Sequence, residues 1–459
     1  MTGIKRLALI LFCVGFAAIL FFAYSDDSGR TLRTVDFAEI YFGGRAALQH
    51  SDPYDPATVL RQFLAEGGKF PPEVSGNPTS HSGVAQTVIS NSVNLPTAFF
   101  LFLPFALLRW SVASYLWVGL SALLLAVAAW FTWDIGASRA PPIWAWFAGL
   151  MLIKCQQIFT SGNIAGFAVA LCIIGAWCFL KERYALAGVV LLAISLAIKP
   201  HDSGFIWLYF LLAGGTLRKR ALQTFAVAAV IGLCTVAWIS RVSPHWYPEL
   251  HRNLNVEVVR GGIDDPGPTG PCQNTPAPII DLQAAISVFK DDPAVYNRVS
   301  YLLVGVLVLV WGVTVLRRRS SLAGAAYALA TVSALTLLPV YHRPYDAMIL
   351  LLALPACAIL WAARERKRWI ALALTLAAIL VTTGLPLAVG TALGLNPSVP
   401  ANTLAGKLAA VLILRPAPLT LLALGCFYLW VYIRCQPPAS DPERHDHPVI
   451  STSTLPLAC

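Results

Sequence analysis

The chain has 459 residues, of which 57% are hydrophobic and only 12% charged, and its mean hydropathy is +0.67. No water-soluble domain of this size covers its surface from such a composition, so a soluble enzyme is excluded and a polytopic membrane protein is expected. The formal net charge of +10 does not point to nucleic acid, because the Lys and Arg residues lie in short blocks beside apolar runs, as membrane orientation requires.

Lys5 and Arg6 precede an apolar run from Leu7 to Tyr24. It is longer than the roughly 7 to 15 residues of a secretory core region, so it reads as a retained signal anchor. With about 20 apolar residues per crossing, spans are expected near 7–24, 112–133, 142–160, 163–180, 184–199, 203–215, 221–240, 299–316, 321–340, 346–363, 368–390 and 412–433. The fold class is an all-α polytopic bundle of about twelve transmembrane helices.

The run from Leu95 to Leu108 is apolar but short and holds Pro96 and Pro104. Counting it as a span would carry several later Lys and Arg clusters to the outer side, so it is assigned as membrane-surface or re-entrant. Arg139, Lys181 and Arg183, Arg218 to Arg220, Arg317 to Arg319, Arg364 to Arg368 and Arg434 then all become cytoplasmic. Both termini fall on that side, and the segment from Gln436 onward reads as disordered. The chain divides into an N-terminal module over 1–240, an outer loop over 241–298, C-terminal helices over 299–434 and a tail over 435–459. No internal repeat stands out.

The outer side holds the loops 25–111 and 241–298 and three tight turns, at 161–163, 200–203 and 341–345. The first loop carries Asp36 and Glu39 on a stretch whose apolar residues recur at helical spacing, which reads as an amphipathic helix on the membrane surface. Asp36 has two readings: a catalytic base, or half of a capping box with Glu39. Asp55 before Pro56 reads as the cap of a second short helix, and Asp52 as structural.

Ser161-Gly162-Asn163 follows Lys154, Gln156 and Gln157, and brings amide donors to the outer edge. Its plainer reading is a glycine ending one helix and an asparagine capping the next. Lys199 ends a helix before Pro200-His201-Asp202, and snorkelling would account for it. A third polar turn, Tyr341-His342-Arg343-Pro344-Tyr345-Asp346, gives Lys199 potential partners. Ionisable groups at membrane depth are expensive and carry a functional hypothesis. Lys199, His342 and Arg343 are candidates to clamp a phosphate, with Asp36 as base and His342 beside it. Glu39, Tyr41, Gln157, Asn163, His201, Tyr345 and Asp346 are the candidate substrate-binding residues.

DFAEIYFGGRAALQHSDPYD, NLPTAFFLFLPFALL, GNIAGF, the stretch from KERYALAG through AIKPHDSGF to LRKR, and HRPYD occur in that order over most of residues 30–350. In order and spacing they resemble the family 87 glycosyltransferases, integral membrane enzymes of the GT-C class. The resemblance implies transfer of a sugar, commonly mannose, from a polyprenyl-phosphate donor to a cell-envelope lipid or glycan, with inversion at the anomeric carbon. It implies an aspartate base in the first outer loop, which maps to Asp36, and a histidine in the later outer turn, which maps to His342. One departure stands out: the usual Gly-Gln turn reads Gly162-Asn163 here.

The expected place is the inner membrane of a bacterium, with the active site on the outer face. There no nucleotide sugar is available, so the donor must carry its activation in the lipid. Lys199 and Arg343 would stabilise the leaving phosphate as preorganised cations. Asp26-Asp27, Asp264-Asp265 and Asp291-Asp292 offer oxygens, but no Asp-x-Asp triplet stands beside Asp36, so no metal or other cofactor is expected. A transporter or flippase of a lipid-linked saccharide is the competing class, although it should carry ionisable groups at the bilayer midplane. A non-catalytic envelope assembly partner is the third.

Overall fold

Prolines mark where several helices begin: Pro56, Pro96, Pro200 and Pro293 each stand in the first turn of a helix in the computed structural model. The ring fixes φ near the helical value, and the missing N–H belongs to a group with no intrahelical acceptor. The structure describes residues 34–70, 81–136, 158–268, 270–271, 278–318, 321–364, 366–395 and 403–434. The expected first span, most of the expected span 142–160, and Gln157 lie outside these residues.

Every regular element among the described residues is helical. The segment expected as the first outer loop forms α1 (Val35–Leu48), α2 (Pro56–Ala65), α3 (His81–Ser90) and α4 (Pro96–Ala106). Then come α5 (Trp110–Gly136), α6 (Ala165–Leu180), α7 (Ala185–Ile198), α8 (Pro200–Ala213) and α9 (Gly215–Val242). The segment expected as the second outer loop carries α10 (Trp246–Val258) and α11 (Leu282–Ile286). The C-terminal helices are α12 (Pro293–Arg317), α13 (Leu322–Leu335), the 3-10 stretch Asp346–Ala353 running into α14 (Leu354–Ala362), α15 (Lys367–Val381), α16 (Leu385–Ala392), α17 (Leu404–Ala409) and α18 (Ala417–Arg434).

Four of these, α5, α9, α12 and α18, are long and apolar enough to cross a membrane, and the α15–α16 pair, bent by 79°, makes a fifth if taken as one span. The expected count of about twelve would also need the shorter apolar helices. Of these, α6 has 16 residues and is buried along nearly all of its length. It is apolar all round because protein surrounds it. The long helices α9 and α12 instead expose Leu222, Phe225, Leu233, Leu302 and Leu309, which suits lipid and not water.

The 11 residues of α4 rise about 16 Å, half of the roughly 30 Å hydrocarbon core. This helix is too short to span, in keeping with the surface or re-entrant assignment. It packs against α1 and α9 instead.

The expectation of a surface helix is corrected for α1. Phe37 to Gly44 are buried without a break, so no face is left for solvent. Phe37 stacks on Trp117 with ring centroids 4.3 Å apart and on Trp110 at 5.5 Å. Such pairs stabilise by about 0.5–1.5 kcal/mol beyond the area they bury. By contrast α2 is amphipathic, with Thr58, Val59 and Phe63 turned inward. Asp55 caps it through Ala57 N at 3.4 Å and Thr58 N at 3.1 Å, and Asp52 accepts from Tyr54 N at 2.8 Å.

The two outer loops are tied to each other. Buried Asn253 on α10 donates to Tyr54 O at 2.9 Å and Ser92 O at 3.0 Å. Farther on, Ile280 N donates to His342 O at 3.0 Å and Gln283 Nε2 to Pro339 O at 3.1 Å. The second outer loop is therefore stitched onto both the first loop and the turn at 341–346.

Candidate functional site

Asp36 stands in the first turn of α1, but no capping box forms. Thr34 is the cap residue, with φ 52° and no side-chain hydrogen bond to the helix. Asp36 turns away from its own backbone and its Oδ2 accepts from Asn163 Nδ2 at 2.6 Å. Glu39 accepts from Val93 N at 3.0 Å and Asn94 Nδ2 at 2.8 Å. Each carboxylate is thus committed to a distant segment, and the cap reading of Asp36 fails.

The turn at 161–163 is built to present Asn163. Gly162 adopts φ +68°, and a Cβ there would lie 2.8 Å from Thr34 Cβ and 3.0 Å from Phe37 Cβ. Only glycine allows α1 to approach so closely. Thr34 N donates to Thr160 O at 3.0 Å and Trp117 Nε1 to Gly162 O at 2.8 Å, which fixes the turn against α1 and α5. Asn163 Oδ1 accepts from Ala165 N at 2.8 Å, so one side chain caps the following helix with its oxygen and holds Asp36 with its nitrogen. The capping reading of this turn is realised, and the Asn163 amide nitrogen meets Asp36.

Lys199 does not snorkel. Its side chain is 11% exposed and pairs with Asp346, with Asp202 Oδ2 3.6 Å away. Asp346 is fully buried, and its other oxygen accepts from Arg343 N at 2.8 Å. This carboxylate therefore bolts Lys199 to the polar turn. Tyr345 lies under the ammonium, its ring centroid 5.2 Å from Lys199 Nζ.

Arg343 bonds Tyr341 Oη and donates to Ile263 O at 3.1 Å and to Asp264 Oδ1 at 2.8 Å. The second outer loop thus reaches into the site through Asp264, a partner that only the tertiary fold supplies. His342 is fully buried, with Nδ1 2.8 Å from Val340 O and Nε2 3.4 Å from Asp202 Oδ1. His201 is exposed, and its ring stands 5.0 Å from that of His342.

Burial pushes the Asp36 carboxyl above the ordinary carboxylate range, while the Asn163 amide, then the Arg343 charge, the Ser161 hydroxyl and the Lys199 charge pull it back. Both cations therefore act on Asp36 through space, and the three belong to one cluster. Burial likewise pushes Glu39 to about 8, with Asn94 and Val93 opposing. Glu257 on α10 is also raised, by burial first and then by the negative charge of Asp264.

Of the predicted residues, Asp36, Asn163, Lys199, His342, Arg343, Tyr345 and Asp346 come together, from segments scattered across the chain. Glu39 lies at the edge of the cluster and His201 at its exposed side. Tyr41 does not join it: Oη donates to Leu108 O at 2.7 Å and the ring packs edge-on against Trp110. It faces the aromatic core because it lies on a different side of α1 from Asp36. Sequence reasoning did not single out Asp202, Tyr341, Glu257 or the Asp264 partnership. Only Asp202, next to His201 in the same polar turn, carried a readable signal.

An aspartate held by an amide, raised in basicity by burial, and set among two cations is equipped to take a proton beside a bound anion. A family model described as Glycosyltransferase family 87 matches residues 94–339, more than half of the chain. The match takes in Asn163 and Lys199; Asp36 lies before it and the turn at 341–346 after it. Neither the comparison with curated proteins nor that with solved structures finds a match.

Proposed function

Because the chain belongs to glycosyltransferase family 87, we propose that it moves a sugar, mannose first among the candidates, from a polyprenyl-phosphate donor to a lipid or glycan acceptor of the bacterial cell envelope, at the outer face of the membrane. The family makes the chain a glycosyltransferase, which ranks the transfer reading above a transporter. Apolar helices with bare hydrophobic flanks make it an integral membrane protein. The donor, acceptor and orientation are our reading.

The observation that carries this reading is Asp36, half-buried and held by an Asn163 amide within the field of Lys199 and Arg343. The acceptor hydroxyl attacks the anomeric carbon on the side opposite the phosphate. As the new C–O bond forms, the bond from that carbon to the phosphate oxygen breaks, the proton passes to Asp36, and polyprenyl phosphate leaves. One displacement inverts the centre. The leaving phosphate is a weak base, so cationic stabilisation matters more than protonation. Lys199 has ammonium hydrogens beyond the one bonded to Asp346, and Arg343 meets the phosphate by sharing or releasing Asp264. The N-terminal module, the two expected outer loops and the turn at 341–346 together would form the catalytic unit, with the remaining C-terminal helices packed behind it.

The test is mass spectrometry of envelope lipids and glycans from a strain lacking the gene, complemented with wild type or Asp36→Asn at matched protein levels. One hexose is expected to be lost in the deletion, restored by wild type and not by Asp36→Asn. Full restoration by Asp36→Asn would remove Asp36 from the chemistry.

A further inference from the structure

His201, Asp202 and His342 each bring a donor atom to one place, and these atoms all lie within 4.8 Å of one another. Asp202 Oδ1 is 3.4 Å from His342 Nε2 and 3.9 Å from His201 Nε2. Asp202 and His342 are fully buried, while His201 is exposed and opens the group to solvent.

The protonation of His342 is constrained by its other nitrogen. Nδ1 lies 2.8 Å from Val340 O, and a carbonyl only accepts, so Nδ1 carries the hydrogen and Nε2 is turned toward Asp202. Nε2 and both carboxylate oxygens of Asp202 lack a hydrogen-bond partner among the described residues. Buried atoms of this kind ordinarily find one.

Charge points the same way. The Lys199 ammonium stands between Asp346 and Asp202, so with neutral imidazoles one cation faces two carboxylates and a buried negative charge is left over. A proton on His342 Nε2 or on one of the two carboxylates, or a metal ion, would balance it. A protonated Nε2 would draw Asp202 into a charge-assisted hydrogen bond of about 2.7–2.9 Å. The observed 3.4 Å instead lies near the roughly 3.4 Å between two ligands that share one tetrahedral ion at about 2.1 Å; the 3.9 Å from Asp202 to His201 is wider, so that exposed side chain would have to move inward on the ion. An imidazole oriented by a hydrogen bond from its far nitrogen to a carbonyl is also how metal-binding histidines are held.

We propose that His201, Asp202 and His342 bind one divalent transition-metal ion, with Zn2+ the best fit to two imidazoles and a carboxylate. The sequence expectation of no metal was weighed on carboxylate doublets; these ligands are a dipeptide and a histidine brought together by folding. Three protein ligands leave a fourth position open. That position would suit an oxygen of the donor phosphate; this role rests on the glycosyl transfer proposed above, whereas the metal site does not.

The purified full-length chain in lipid nanodiscs, stripped with chelator and dialysed, is titrated with Zn2+ by calorimetry, and bound metal is counted by plasma mass spectrometry. Wild type is expected to hold one Zn2+ per chain. His201→Ala and His342→Ala should each weaken binding at least ~10-fold, and His251→Ala, an exposed histidine elsewhere, should not. His201→Ala changes an exposed side chain, so it reads the site even where His342→Ala unfolds. Wild type without stoichiometric Zn2+, or His201→Ala binding as wild type does, overturns the proposal. Zn2+ binding with full activity in Asp36→Asn keeps the metal site and sinks the transfer mechanism; no Zn2+ binding with an inactive Asp36→Asn does the reverse.

Discussion

Asn163 donates its side-chain amide to Asp36 across 2.6 Å and 127 residues of sequence, and the same side chain caps the helix that follows it. The orientation of the proposed base is therefore set by a residue whose other hydrogen bond builds the fold. Asn163→Ala is expected to lower turnover by roughly 10–100-fold, the range for a group that orients a functional ligand. Loss of the cap should cost about 1 kcal/mol. Initial rates in nanodiscs alongside the thermal midpoint separate the two; an unchanged rate would show that Asp36 is oriented without the amide.

Gly162 makes that approach possible. Gly162→Ala places a methyl group 2.8 Å from Thr34 Cβ at a φ of +68°, which should destabilise the fold by about 1–3 kcal/mol and push α1 away from Asn163. A lower thermal midpoint together with lost transfer is expected. A midpoint equal to wild type would mean that α1 shifts freely.

Lys199 and Asp346 form a buried ion pair. Removing Lys199 leaves the Asp346 and Asp202 carboxylates without their cation and should cost about 3–5 kcal/mol, whereas removing Asp346 leaves Lys199 to Asp202, 3.6 Å away, and should cost less. Lys199→Met should lower the thermal midpoint more than Asp346→Asn does, and the double variant should lose less than the sum of the two. The double variant should still be inactive, because the phosphate loses its ammonium. Strictly additive losses would refute the coupling.

The Arg343–Asp264 pair at 2.8 Å fastens the second outer loop over the site. Asp264→Asn keeps the shape and removes the charge, so residues 246–292 should be cut faster in limited proteolysis while the transmembrane part resists. An unchanged cleavage rate would put the tether elsewhere, for instance at Asn253.

Glu39 has its carboxyl raised to about 8 by burial. A carboxyl raised in the folded state binds protons more tightly there than in the unfolded chain, so its stabilisation is complete at low pH and declines as pH rises from the ordinary carboxylate range through about 8. Across that window the Glu39 contribution falls by at most about 1.4 kcal/mol per pH unit. The thermal midpoint should therefore fall over the same range, and Glu39→Gln, which keeps an acceptor for Val93 and Asn94, should flatten part of the slope. An equal slope in the variant would assign it wholly to other raised carboxyls such as Glu257.

Several features were legible locally. Asp55 caps the helix that Pro56 opens because both the cap and the proline act within one turn of chain. The brevity of α4 follows from Pro96 at its start and Pro104 near its end, since a proline inside a helix removes a hydrogen bond. The burial of α1 was not legible. Its sequence carries charges and glycines that suit a surface, but Gly43 and Gly44 lie against Phe99 and Ala106 of α4 and let the two helices touch.

By itself the sequence determined that the chain is helical and membrane-embedded, where its polar turns stand, and which family it belongs to, because apolar run length and motif order are properties of contiguous residues. Only the tertiary structure decided that Asp36 is no helix cap, that Tyr41 is packing, that Asp346 serves Lys199, and that Asp202 meets His342. Each of those outcomes is a contact between residues far apart in the chain, fixed by how helices pack, and no local pattern encodes the partner.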